Sequence, residues 1–219
     1  TFTGITDPKV NLMKRSYIWI IGFVLYGLFF SWYTNFEGPM TEKEISVVLE
    51  RAKSLGRSEQ NLATLENFMR TDTGNDFIMV NLLDMNESPP QLPATGPGAS
   101  SSDLIAHYME HMYPAQFKRA CHPVFFGHSV SNALDLSGIE GAAHWDQGAL
   151  FRYRSRRDVV EIATNPAFNE RHDYKMAALT KTIAFPVEPL LHTGDARILV
   201  ALLLFSILSL IDMLIFRRR

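Results

Sequence analysis

Cysteine is nearly missing: Cys121 is the only one in 219 residues. A single thiol excludes an internal disulfide framework and any multi-cysteine zinc or iron–sulfur site. Glycine and proline are few, at 13 and 11, which excludes a collagen-like or low-complexity chain. A basic excess is also missing. The 21 Lys+Arg meet 23 Asp+Glu, for a formal net charge of −2, and the interior holds no basic tract. That balance excludes a strongly basic nucleic-acid binder, so no nucleic-acid partner is expected. No P-loop, no G-x-G-x-x-G and no Ser–His–Asp order occurs.

What the chain does have is apolar length. Residues 16–33 read SYIWIIGFVLYGLFFSWY without a charge. At about 1.5 Å per residue such a helix spans about 27 Å, close to a bilayer core. Residues 198–216, ILVALLLFSILSLIDMLIF, carry one acid, Asp212. Both stretches lack the polar stripe of an ordinary buried helix. We read transmembrane helices over 16–34 and 197–216. Lys9, Lys14 and Arg15 precede the first, and Arg217, Arg218 and Arg219 follow the second. Residues 34–196 hold 14 Lys+Arg against 21 Asp+Glu, a charge of −7. The positive-inside rule then predicts cytoplasmic tails at 1–15 and 217–219, and a periplasmic or otherwise extracytoplasmic central region. The expected location is the plasma (inner) membrane. The first helix leads into SWYTNFEGP, without a small-x-small cleavage site, so it reads as an uncleaved anchor. Asp212 is expected to snorkel towards the terminal arginines.

Between the helices, residues 35–72 read as a helical extension and 73–190 as an α+β domain. Thr41 and Glu44 form a capping box for a helix ending near Gly56, and residues 58–70 form a second helix. FIMVNLLDM at 77–85 is the strongest strand signal, apolar enough for burial on both faces. A Pro/Gly/Ser-rich loop follows over 86–102. Residues 103–120 read as a helix, 123–130 and 145–154 as strands. Ser155 and Asp158 form another capping box. Asn165-Pro166 restarts a helix to about Thr182, before a last strand at 183–187. The order β-α-β-β-α-β is the split ferredoxin-like unit. Its four antiparallel strands leave one sheet face open, and pairing two such faces gives a dimeric barrel.

The segments FIMVNLLDM, HYMEHMYPA with HPVFFGHSV, FRYRSRRDVVEIATNPAF and HDYKMAALTKTIAFPVEP carry a resemblance. Over roughly residues 65–189 the sequence resembles the dimeric α+β barrel superfamily. Within it the chain is similar to the small proteins grouped as domain of unknown function thirteen-thirty, here in a membrane-anchored form. The resemblance implies the fold and homodimerisation through the sheet face. It implies no activity. The wider superfamily includes cofactor-free monooxygenases and haem-binding enzymes, an analogy of fold only.

Several clusters can carry chemistry. Arg152, Arg154, Arg156 and Arg157 at a strand end and helix start suit an anion, or form a salt-bridged rim. His107 and His111 share a helix face, but HYMEH lacks the glutamate position of HExxH, so they are weak metal ligands. His122, His128, His144 and His172 add imidazoles. Asn81 interrupts the apolar strand and needs partners if buried. Cys121 beside His122 is not thereby a dyad. Tyr108, Trp145 and Tyr153 read as core aromatics. The candidate ligand site combines Asn81, His107, His111, Arg152 and His172 between the open sheet face and the 86–102 loop, and suits an anionic or carboxylate-bearing ligand.

With no catalytic motif, the reading leans away from an enzyme. The expected function is a membrane-anchored accessory or assembly subunit. Its expected partners are the membrane, other integral membrane subunits and a second copy of the chain. No cofactor is expected. The alternative is an oxygenase-like enzyme, assisted by haem or a metal ion or working without either, or a small-anion binder.

Overall fold

A computed structural model describes residues 8–216, with side chains from residue 15 onwards. The flanking cations Arg217, Arg218 and Arg219, and the side chains of Lys9 and Lys14, lie outside the described residues. The chain divides into two compact units, the pair of terminal helices and the region Asn35–Leu190.

The first unit is α1 (Pro8–Tyr33) packed antiparallel on α7 (Ala196–Phe216). Both are long and apolar enough to cross a membrane. Trp19 meets Phe205 at 5.7 Å between ring centroids, and the Tyr26 hydroxyl donates to the Arg197 carbonyl at 3.1 Å. Gly22 lies where a Cβ would come within 2.2 Å of Leu208, so its missing side chain lets the helices approach. Asp212 is buried and accepts from the Arg15 guanidinium, Nε to Oδ1 at 2.7 Å and to Oδ2 at 3.0 Å, and Nη2 to Oδ2 at 2.6 Å. Its partner is therefore a cation on the neighbouring helix. Arg15, read from sequence only as a flanking charge, immediately precedes its own helix's apolar run and bonds Asp212.

In the second unit, α2 (Glu42–Ser54) and α3 (Glu59–Arg70) precede β1 (Phe77–Met85). Then come α4 (Ser101–Phe117), β2 (His122–His128), β3 (Gln147–Tyr153), α5 (Arg156–Ala163), α6 (Pro166–Ala177) and β4 (Leu179–Val187). The sheet is antiparallel throughout, in the order β2-β3-β1-β4. This is a mixed α+β fold with the ferredoxin-like strand arrangement. Both halves of the Thr41/Glu44 capping box are made, and Ser155 accepts from the Asp158 amide to start α5. The last helix differs from expectation. It stops at Ala177, and β4 begins at Leu179 rather than Ile183. Residues 179–182 pair with β1, Lys181 opposite Asp84 and Thr182 opposite Leu83. That ladder outweighs the helical pattern of the KMAALTK stretch, which contains no glycine to mark a stop.

Alternation along the strands divides the sheet into two faces. Phe77, Met79, Asn81 and Leu83 of β1 lie beside Tyr153, Phe151, Ala149 and Gln147 of β3. The three helices α4, α5 and α6 cover this face. Phe77, Tyr108, Met112, Cys121, Tyr153, Ile162 and Phe168 form its core, with Phe77 stacked on Tyr153 at 5.5 Å. The extension packs separately. Met40, Ile45, Val48 and Met69 close on Val160 of α5.

The middle of the opposite face is apolar and open. Phe125, Leu150, Val80 and Phe185 form one row across all four strands, and Gly127, Gly148, Leu82 and Ile183 form the next. Phe125 and Phe185 are 56% and 43% exposed. The Phe125 ring folds over its own strand's glycine, and a Cβ on Gly127 would come within 2.9 Å of it.

Candidate functional site

The covered sheet face does not pack solid. A cavity of about 290 Å³ remains between it and the helices, lined by apolar side chains with a few polar groups. Its floor follows from strand parity. Asn81 sits opposite Ala149, whose small side chain leaves room. The Asn81 amide donates to the Met79 and Ala149 carbonyls, at 3.1 and 3.2 Å. Tyr153, on the same strand face, accepts from the Gln116 amide nitrogen at 2.9 Å. Gln116 is 2% exposed, and its Oε1 has no hydrogen-bond partner among the described residues. A buried carbonyl left unmatched costs about 1–3 kcal/mol.

Helix α6 supplies the other wall with His172 and Lys175, one turn apart. The His172 ring lies 5.2 Å from that of Phe168. Burial first, then the Lys175 charge, push its pKa below the ordinary value, so it is neutral at pH 7. Lys175 is also pushed down by desolvation, and its Nζ lies 5.9 Å from the Tyr108 ring centroid. The Tyr108 and Tyr153 phenols are pushed up by burial and stay protonated. Such a cavity can hold a small, mainly apolar molecule, with the Lys175 amine as the group to pair with an acid. Cys121 lies behind it, fully buried, and desolvation pushes its thiol up to about 12.

The five residues singled out from the sequence do not share one site. Asn81 and His172 line the cavity together. Arg152 lies on the opposite sheet face, because it pairs in register with Ile78 rather than with an inward residue. It is 1% exposed and bonds to Asp76 and the Ala120 carbonyl, each at 2.9 Å. His107 is on α4 outside the cavity. Its ring packs on Tyr174 at 4.4 Å, with Nδ1 3.5 Å from Glu110. His111 does not line the cavity either. The 86–102 loop packs against the helices: the Ala94 amide donates to the Tyr174 hydroxyl, and Leu92 and Ala99 join Leu104 and Leu179.

The other arginines are structural. Arg154 bonds Asp158 at 2.8 Å. Arg156 reaches the Phe68 carbonyl at 2.6 Å and Glu188 at 2.9 Å. Arg157 bonds Glu44 at 2.7 Å. Arg156 and Arg157 thus latch the helical extension onto α5.

Sequence reasoning missed Gln116 and Lys175, which look like ordinary surface residues until the helices are docked. It also passed over Asp84 and Asp146, which come together with His144 beyond the other end of β1. Their only sequence signal is position, one just before a strand ends and one just before another begins.

No family model matches the chain, and no curated protein matches it. Solved structures do. A protein of unknown function from Rhodopseudomonas palustris is 20% identical, with 62% of this chain and 96% of that one covered, at a TM-score of 0.49. The methylated form of that protein is 21% identical, with 63% and 95% covered, at a TM-score of 0.50. A dimeric ferredoxin-like protein of unknown function from Jannaschia is 12% identical, with 52% and 100% covered, at a TM-score of 0.34. What the chain shares with the Rhodopseudomonas protein is the ferredoxin-like α+β fold.

Proposed function

We propose that this chain is a two-pass membrane protein whose α+β domain pairs with a second copy of itself through the open sheet face, as an accessory or assembly subunit of a larger membrane complex. The observation that carries the reading is the uncovered apolar row Phe125–Leu150–Val80–Phe185, with Leu82 and Ile183 beside it. Neither row contains a charge. A contiguous apolar face of this kind marks an interaction surface. A second copy satisfies it by symmetry, since the same rows meet themselves across a two-fold axis. The resemblance of the sequence to the dimeric α+β barrels supports the same pairing.

Membrane anchoring rests on the terminal helices. Phe23, Leu28, Leu202 and Leu203 are exposed along them, a surface suited to lipid. The cationic flanks and the −7 charge of residues 34–196 support a topology with both termini in the cytoplasm and the domain on the far side. Protease added to spheroplasts is expected to degrade the domain. Cleavage only in inverted vesicles reverses the orientation.

The pairing is tested on the full chain in mild detergent by native mass spectrometry. Wild type is expected as a dimer, alone or with other integral subunits, and the Phe125→Asp/Phe185→Asp variant as a folded monomer. A wild-type monomer, or a variant that stays dimeric, defeats the reading.

A second reading, a binder of a small carboxylic acid, is favoured by one observation, the Lys175 side chain lining an otherwise mainly apolar cavity. The volume lies at the low end for small-molecule pockets and suits a small ligand rather than a haem. A panel of aromatic and aliphatic acids is expected to raise the melting temperature of wild type and not of Lys175→Met. Equal shifts in both remove this reading.

A further inference from the structure

The described residues contain one group of three potential metal ligands, and the pairing proposed above makes no use of it. We propose that Asp84, His144 and Asp146 bind one divalent transition-metal ion. Antiparallel pairing builds the group. The Asp146 amide donates to the Leu83 carbonyl at 2.9 Å, which sets Asp146, just ahead of β3, beside Asp84 near the end of β1. His144, two residues earlier, turns to the same side. Its Nε2 lies 3.3 Å from Asp146 Oδ1 and 3.8 Å from Asp84 Oδ1. The three donor atoms all fall within 4.8 Å of one another. Ligands about 2.0–2.1 Å from a tetrahedral ion stand about 3.3–3.4 Å apart. The His144 contacts are already close to that spacing, and a modest contraction closes the group on one ion.

The surroundings aim each donor inward. His144 Nδ1 lies 3.2 Å from Asn132 Oδ1, and in the tautomer that donates there the Nε2 lone pair is presented to an ion between the carboxylates. Asp146 Oδ2 accepts the Met85 amide at 2.6 Å, so Oδ1 is the oxygen left for a ligand role. Asp84 Oδ2 faces the Lys181 ammonium at 3.5 Å, and again Oδ1 turns to His144. One imidazole nitrogen with two carboxylate oxygens suits Zn²⁺ or Mn²⁺. Ca²⁺ needs more oxygens, and Mg²⁺ keeps its water shell. Three protein ligands leave a position for water or a ligand. The group opens into a concavity of about 880 Å³ whose rim also carries His128, Ser129 and Ser131, which supplies an entry path.

The test uses the full chain in detergent, stripped with EDTA and titrated with Zn²⁺ by equilibrium dialysis and calorimetry. Wild type is expected to take one Zn²⁺ per chain and to melt higher with it. His144→Ala and Asp146→Asn are each expected to weaken binding at least tenfold, and His107→Ala/His111→Ala to leave it unchanged. The side-chain amide oxygen introduced by Asp146→Asn still accepts the Met85 amide, and the His144 side chain is 58% exposed, so the metal-free fold survives both changes. If Asp146→Asn nevertheless melts lower without metal, His144→Ala decides alone. Three results overturn the site. One is wild type binding no more Zn²⁺ than His144→Ala. Another is loss of Zn²⁺ only in the His107/His111 variant. The third is a group that acts as an imidazolium between two carboxylates, stabilising the chain equally with and without metal.

Discussion

Glu44 does two jobs with one carboxylate. Its Oε2 accepts the Thr41 amide in the capping box at 2.7 Å, and its Oε1 accepts Arg157 Nε at 2.7 Å. The Arg157 guanidinium first, and then the Thr41 amide, lower its pKa from the ordinary 4.5 to about 2. A depressed carboxyl pKa adds stability above the unfolded value, and that stability is lost as pH falls through the folded one. Glu44→Gln is therefore expected to be less stable than wild type at pH 7. The gap narrows as pH falls below about 4.5 and closes near 2, as read by denaturant unfolding at each pH. A gap independent of pH contradicts the assignment. Cys121 gives a second prediction. With its thiol pushed up to about 12 and its side chain fully buried, the native protein is expected not to react with iodoacetamide at pH 8, and to react stoichiometrically once unfolded. Labelling of the native chain at the rate of a free thiol contradicts it. At this scale the sequence showed residue types but not their faces. The alternation that sets Arg152 on one side of β3 and Phe151 and Tyr153 on the other is readable. Which side meets Asn81 depends on the Ile78–Arg152 register, a property of two strands far apart in sequence.

Two caps were legible: Thr41/Glu44 and Ser155/Asp158 announce α2 and α5 because each signal is local, whereas Ser100 of the Ser100/Asp103 box that starts α4 was read as part of the loop. The α6–β4 junction was not legible. Ala178 ends the helix in a right-handed conformation without glycine, and only pairing with β1 reveals the strand. The α1–α7 pair was legible as two apolar runs, whereas its polar lock was not. The Arg15–Asp212 bond joins positions 197 apart in the chain. Asp212→Asn removes the charge-assisted bond from a mostly apolar interface. It is expected to cost about 1–2 kcal/mol in detergent unfolding, and the exchange Arg15→Asp/Asp212→Arg to recover most of it. An unchanged midpoint for Asp212→Asn shows that the pair contributes nothing.

For the whole molecule, the α+β class and the strand order followed from the β-α-β-β-α-β succession, since few topologies accommodate it. The open face followed too, because four strands with helices on one side leave the other bare. The Asn81–Gln116–His172–Lys175 cavity and the Asp84–His144–Asp146 group were hidden. Both are assembled by docking elements rather than by spacing along the chain. The central claim is that two copies meet through the open face. Leu82, on the central strand β1, is the position to probe, since the buried Cys121 leaves no competing reactive thiol. A short bismaleimide is applied to native membranes carrying Leu82→Cys, with Glu59→Cys on α3 as the control surface position. A cross-linked dimer is expected at position 82, absent at position 59 and lost when Phe125→Asp is added. No dimer at 82, or equal dimer at both positions, contradicts it.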